Sequence, residues 1–187
     1  MKDLTKNGFG KLIFADGSVY EGNFKDGLYD GLGELIYKDG THYVGAFKAG
    51  KYESYENESG EMLGGRLVFA NGTSYQGHFA NGEFSGQGKI VYYDGSSFEG
   101  SFKDGMRAYG TYTWTTGEKV EGSFKNNVPD PNEWITYYEG GESARASYVI
   151  IRDGVIIYKT PYREEEKEEE PEEEAPETDN ETPDAVG

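Results

Sequence analysis

The stretch Tyr20-Glu21-Gly22-Asn23-Phe24-Lys25-Asp26-Gly27-Leu28-Tyr29-Asp30-Gly31-Leu32-Gly33, running on through Asp39-Gly40 to Tyr43, decides the fold. Tyr20, Gly22 and Phe24 alternate, and so do Leu35 and Tyr37. A period of two places such residues on one face of a strand rather than along one side of a helix. Asp39-Gly40 supplies residues that tolerate the positive φ of tight hairpin turns. The pattern then returns. Tyr20, Tyr43, Tyr75, Phe98 and Val120 open successive units, spaced by 23, 32, 23 and 22 residues. Two places later stand Gly22, Gly45, Gly77, Gly100 and Gly122, and four places later Phe24, Phe47, Phe79, Phe102 and Phe124. A second ribbon reads GKLIF from Gly10, GELIY from Gly33, GRLVF from Gly65, GKIVY from Gly88, GTYTW from Gly110 and EWITY from Glu133. Turn pairs such as Asp16-Gly17, Asn71-Gly72 and Asp94-Gly95 follow these ribbons. A period of roughly 20–50 residues marks an array of stacked units. The sequence therefore predicts an all-β chain, an elongated single-layer antiparallel sheet of stacked β-hairpins.

Composition agrees. The 187 residues include 28 Gly, 16 Tyr and 10 Phe. Glycine interrupts helices and aromatic residues favour strands, which excludes a helical bundle. A ring lying over a glycine meets bare backbone, because no Cβ holds it away. Two aromatic columns are expected to stack along the array, Phe24/Phe47/Phe79/Phe102/Phe124 and Phe14/Tyr37/Phe69/Tyr92/Trp114/Tyr137. Leu12, Leu35, Leu67, Ile90, Tyr112 and Ile135 fill the space between them. Each ring buries on the order of 150–250 Å², enough to hold a thin sheet together without a globular core.

The charge is uneven. The whole chain carries −17, and residues 164–187 hold 13 acids against Lys167 alone. Removing that −12 from −17 leaves −5 for residues 1–163. Residues 161–187 read as a disordered Glu-rich tail, residues 8–142 as the array and residues 143–160 as a capping hairpin. An acidic chain is repelled by nucleic-acid phosphates, so no nucleic-acid partner is expected. There is no cysteine, and His42 and His78 are the only histidines, so neither a metal site nor a thiol nucleophile is expected. No run of ~18 apolar residues and no apolar leader is present, so the expected compartment is the cytoplasm.

These residues resemble the MORN (membrane occupation and recognition nexus) repeat, approximately YxGxxxxGxxxGxGxxxxxDGxxYxG. Tyr20 to Tyr43 and Tyr75 to Gly95 carry the resemblance, which covers about residues 8–142. It implies an elongated, groove-bearing β-sheet that holds proteins or lipids, and it implies no catalysis. The segment 104–114 is similar to short, sperm-flagellum-associated MORN proteins, and a Glu-rich end following repeats is similar to radial-spoke-head members. That resemblance implies a cytoskeletal setting and in particular a ciliary or flagellar axoneme.

Two departures stand out. Residues 51–64 carry a nine-residue insertion, with Tyr52, Tyr55 and Met62 as candidate anchors. The unit from Val120 decays, with Asn127 in place of glycine and Pro129 and Pro131 beside it. Beyond it, residues 146–158 place two β-branched runs around Arg152-Asp153-Gly154, a hairpin that either caps the sheet or forms a dimer seam.

Gly45 to Tyr52 imitates a phosphate loop, but Tyr52 stands where Ser or Thr would hold Mg²⁺. The same five-residue glycine spacing recurs at Gly22–Gly27, Gly77–Gly82 and Gly100–Gly105, so the motif is the repeat itself. No cofactor is expected. The expected function is a non-enzymatic scaffold that grips a helix or peptide of a protein partner in an aromatic-lined groove. The candidate contacts are Tyr37, Phe69, Tyr92 and Trp114, flanked by Phe47, Phe79 and Phe102. Peripheral binding to acidic phospholipids is the alternative, through Lys25, Lys48, Lys103 and Lys125 at one phase of the repeat.

Overall fold

Two kinds of tight turn alternate along the chain, and together they make it a meander. At Asp16-Gly17 the Phe14 N–H donates to the Ser18 carbonyl (2.9 Å), the Gly17 N–H donates to the Phe14 carbonyl (3.0 Å), and only Gly17 has positive φ. At Asp26-Gly27 both residues do, with φ of 50° and 80°. That is the signature of a two-residue primed turn, whose twist suits antiparallel strands. Ala49-Gly50, Asn81-Gly82, Asp104-Gly105 and Asn126-Asn127 repeat it.

A computed structural model describes residues 6–130 in full, and beyond them the backbone of three strands. The strands are β1 (Gly8–Ile13), β2 (Val19–Lys25), β3 (Leu28–Ile36), β4 (His42–Lys48), β5 (Lys51–Glu53), β6 (Tyr55–Glu56), β7 (Met62–Leu63), β8 (Gly65–Val68) and β9 (Ser74–Ala80). They continue as β10 (Glu83–Val91), β11 (Ser97–Lys103), β12 (Met106–Thr113), β13 (Lys119–Lys125), β14 (Val128–Pro129), β15 (Ile135–Glu139), β16 (Glu142–Arg152) and β17 (Val155–Pro161). One antiparallel sheet runs β1-β2-β3-β4-β8-β9-β10-β11-β12-β13-β15-β16-β17, with β5 beside β4 and β14 beside β13. The described chain is thus the predicted open sheet of successive hairpins. The side chains of residues 146–158, on which the choice between cap and dimer seam turns, lie outside the described residues. So does the acidic segment from residue 162 on.

Glycines pair with glycines across the sheet. The ladder joins Gly10 to Gly22, Gly22 to Gly33 and Gly33 to Gly45; farther on it joins Gly65 to Gly77, Gly77 to Gly88, Gly88 to Gly100, Gly100 to Gly110 and Gly110 to Gly122. This spine lets a ring lie flat on the backbone. A Cβ on Gly33 would stand 2.6 Å from the Tyr20 hydroxyl, and one on Gly65 would stand 2.6 Å from that of Tyr43. The hydroxyls of Tyr20, Tyr43 and Tyr75 donate to the carbonyls of Asn23 (2.7 Å), Ala46 (2.9 Å) and His78 (2.8 Å). Each ring is thereby tethered at its far end.

A second layer of rings covers the first. Tyr29 stacks on Tyr20 (3.7 Å between centroids), Tyr52 on Tyr43 (3.9 Å) and Phe84 on Tyr75 (3.8 Å). Tyr29 pairs with Phe24, four residues along β2 from Tyr20, a distance of about 13 Å on a straight strand. The stack forms because the ladder shifts register between Gly22 and Phe24, and a bulge of this kind bends the strand end over the sheet. The Phe rings then set their edges against neighbouring Tyr rings. Phe47 meets Tyr20 at 5.2 Å, Phe79 meets Tyr43 at 5.2 Å and Phe102 meets Tyr75 at 5.1 Å.

Adjacent units are also laced at both ends by hydrogen bonds. The N–H groups of Gly50, Gly82 and Gly105 donate to the carbonyls of Tyr29, Tyr52 and Phe84 at 2.8–3.0 Å. At the opposite ends the buried Ser18 and Thr73 hydroxyls accept from the N–H groups of Lys38 (3.1 Å) and Tyr93 (3.2 Å).

Two outcomes follow for stability. Gly33→Ala forces a methyl group against the Tyr20 ring and is expected to cost about 1–3 kcal/mol in urea denaturation, whereas Ala at the exposed Lys25 is near neutral. Burial pushes the Tyr20 hydroxyl up to about 12. A group that holds its proton more tightly when folded contributes its full stability below the unfolded pKa near 10. That contribution is lost as pH rises through about 12. The urea midpoint is therefore expected to fall across this alkaline window, and less steeply in Tyr20→Phe.

Candidate functional site

The candidate contact residues fall into two groups. Phe47, Phe79 and Phe102 are buried, their edges and faces spent on neighbouring rings, so they are corrected from flanking contacts to core. Tyr37, Phe69, Tyr92 and Trp114 form one row near the turns, and all keep part of the ring in solvent. Tyr37 is the most open at 38% exposed, and its hydroxyl lies 2.6 Å from that of Tyr52. Burial pushes the Tyr52 and Tyr92 hydroxyls up, so both stay protonated at neutral pH. The inner face is therefore a filled double layer with a partly wetted rim, not an open aromatic trough.

One column of this layer was not read from the sequence. Lys6, Tyr29, Tyr52, Phe84, Arg107 and Pro129 recur at the array's own spacing of 23, 23, 32, 23 and 22 residues. Tyr52 belongs here and is corrected from a loop anchor to part of the ring layer. Its place in the column also explains why the apparent phosphate loop fails: Ala49-Gly50 is a hairpin turn and Tyr52 is a stacked ring. Cations stand at two positions of the column. The Lys6 ammonium lies 4.1 Å from the Phe24 centroid, and the Arg107 guanidinium lies 5.1–5.6 Å from Phe98, Tyr112 and Phe124. Burial lowers the Arg107 pKa, while ring faces offset part of the cost of desolvating it.

The insertion is ordered. It leaves the sheet where the other units have their bulge, so that β5 and β8 are the two halves of one interrupted strand. Between them β6 and β7 form a small hairpin. The Ser54 N–H donates to the Phe79 carbonyl (2.9 Å), the Ser54 hydroxyl accepts from the Phe79 N–H (2.8 Å), and a His78 ring nitrogen lies 3.2 Å from the Met62 carbonyl. Tyr55 is half-buried and Met62 exposed, which leaves both available at the surface.

The outer face of the sheet has no layer over it among the described residues. Phe9 and Ile13 are 71% and 68% exposed, and Leu32, Ile36 and Val44 are also open. Cross-strand pairs Lys11–Glu21 (3.0 Å) and Lys89–Glu99 (2.8 Å) lie on the same face. Beside the inserted hairpin this face sinks into a trough of about 930 Å³. Gly65, Gly77 and Gly88, Tyr55 and Leu63, and Val44, Arg66, Lys89 and Glu99 line it. The lining mixes apolar groups with charges of both signs. Among the described residues no cluster of His, Asp or Glu has the arrangement of a metal site.

Comparison with known families fits this geometry. Residues 5–19, 20–42, 75–97 and 98–119 match the MORN repeat. The intervening unit, which carries the insertion, is not among the matched stretches. No curated protein matches the chain. MORN repeats generally mediate protein or membrane interactions and are non-catalytic modules. Rings laid on paired glycines and primed turns run through these four stretches, which are similar to the MORN repeat.

Proposed function

We propose that the chain is a non-enzymatic protein-interaction scaffold whose contact surface is the uncovered outer face of the sheet. The observation that carries this reading is the set of exposed apolar side chains there, Phe9, Ile13, Leu32, Ile36 and Val44, the last of which lines the trough. Apolar side chains gathered on one uncovered face mark an interaction site. A helix or peptide of a protein partner is the occupant. The cytoplasmic cytoskeleton, with a ciliary or flagellar axoneme as the particular case, is the setting we propose, resting on the local resemblance of residues 104–114 and of the Glu-rich end.

The test is affinity purification read by mass spectrometry. Leu32→Lys/Val44→Lys, both at exposed positions, is expected to reduce recovery of specific partners about tenfold or more while the fold survives. Unchanged recovery in this variant together with loss in Tyr37→Ala would move the surface to the turn-side rim.

A lipid reading has its own observation. Lys25, Lys48, Lys103 and Lys125 are all exposed at the hairpin tips, next to the open side chains of Leu28, Met106 and Val128. Each lysine near an anionic bilayer is worth about 1 kcal/mol, but Asp26 and Asp104 directly follow two of them. Sedimentation with phosphatidylserine vesicles at about 0.15 M salt is expected to leave the protein in the supernatant. Pelleting that disappears when the four lysines become serine would place the lipid reading ahead.

A further inference from the structure

The rim of the inner face on the Asp-Gly turn side has a fixed pitch. Phe14, Tyr37, Phe69, Tyr92 and Trp114 each open one of these turns, donating a backbone N–H to the carbonyl four places on at 2.8–2.9 Å. They follow the ends of β1, β3, β8, β10 and β12, which are alternate strands of the sheet. The inserted hairpin does not break the series, because β4 pairs directly with β8. Two strand spacings set successive rings ~9.6 Å apart. Each ring keeps part of its surface in solvent, and the Tyr37–Tyr52 hydroxyl contact of 2.6 Å holds one of them in place.

That pitch selects the conformation of a ligand laid across the strands. A polyproline II helix shows every third residue on one side and advances ~9.3 Å per turn. An α-helix returns to one side after about seven residues, ~10.5 Å, and drifts nearly an ångström per ring. A β-strand repeats a face every ~6.6 Å and falls out of step at once. Charge adds a second constraint. Exposed Asp16, Asp39 and Asp94 and half-buried Glu118 stand in the turns of this row, with Lys38 beside them and the Arg107 guanidinium close to Tyr92 and Tyr112. Four acids against two bases leave the rim at −2. Lys38 acts on Asp16, whereas Asp39 and Asp94 make no ion pair among the described residues. The Ser96 hydroxyl and N–H hold the Asp94 carboxyl below the usual range, and so charged. Neutral Asn71 lies in the turn between them, so the two acids are ~19 Å apart, which is about six residues of polyproline II.

We propose that this rim binds a proline-rich segment of a partner protein in the polyproline II conformation, running across the strands over Tyr37, Phe69 and Tyr92, with two basic side chains six residues apart on Asp39 and Asp94. Proline rings seat between aromatic ridges, and a segment already extended loses little freedom on docking. The rim is separate from the outer face, and the proposal does not rest on the scaffold reading of that face.

Fluorescence anisotropy of labelled synthetic peptides, titrated with the full chain at about 0.15 M salt, tests it. One peptide carries arginines flanking five prolines. The other carries the same arginines flanking four, which turns the second cation a third of a turn out of phase at equal charge. The five-proline peptide is expected to bind about fivefold more tightly. Asp39→Asn/Asp94→Asn is expected to remove that preference, and the fold accepts it because Asn71 already holds the same turn position. Asp26→Asn/Asp104→Asn makes the same charge change at the opposite hairpin tips, where Asn81 is already accommodated, and is expected to leave the preference intact. Equal affinity for the two peptides, no saturation up to about millimolar concentration, or equal losses in the two variants would each overturn the proposal.

Discussion

A tyrosine ring lying on a pair of glycines is the contact on which this structure depends. The ring approaches closer than any side chain would permit: a Cβ on Gly33 would stand 2.6 Å from the Tyr20 hydroxyl. That approach buries the ring without a second sheet or a helix to cover it. It also fixes the phase of the whole array, because the glycines must pair across every strand of the spine. A ring displaced by one residue would face the opposite side of the sheet. Cohesion in the described sheet is therefore local and repeated rather than gathered in one core.

The stacked second layer follows from the first. Tyr29 and Phe84 cover the lower rings where their hairpin ends bend at a bulge, and Tyr52 does so where the inserted hairpin interrupts the strand. Where the column carries Arg107 instead, the ring below is Phe98, which has no hydroxyl to tether, and the guanidinium lies over Phe98, Tyr112 and Phe124. Ring faces attract a cation and a ring alike, so the column tolerates both. This use of the aromatic residues for cohesion leaves the opposite face of the sheet as the one in contact with water.

The lattice itself was legible in the sequence. Tyr20, Gly22 and Phe24 alternate with the period of a strand, and their recurrence named the architecture. The covering column was not read, because Gly27 counted as a lattice position rather than as half of a primed turn. Once Asp26-Gly27 is a two-residue turn, Phe24 and Tyr29 face each other across it and must share a face. Phe47, Phe79 and Phe102 look open in the sequence for the same reason, because the layer that buries them is not visible in the repeat pattern. Arg66 and Lys89 gave no signal, because outer-face positions change from unit to unit. They line the trough beside the inserted hairpin.

The position of that hairpin has a wider consequence. Ten residues from Ser54 to Leu63 leave and rejoin the sheet at a point where neighbouring units already break their ladder. Extra chain there disturbs no backbone pairing that an uninterrupted unit would have kept, and the glycines on either side stay in step. Such an architecture has a built-in docking bay for new sequence in every unit. Diversity of surface can accumulate at these joints while the supporting lattice stays constant, much as a printed page admits marginal notes without resetting its lines.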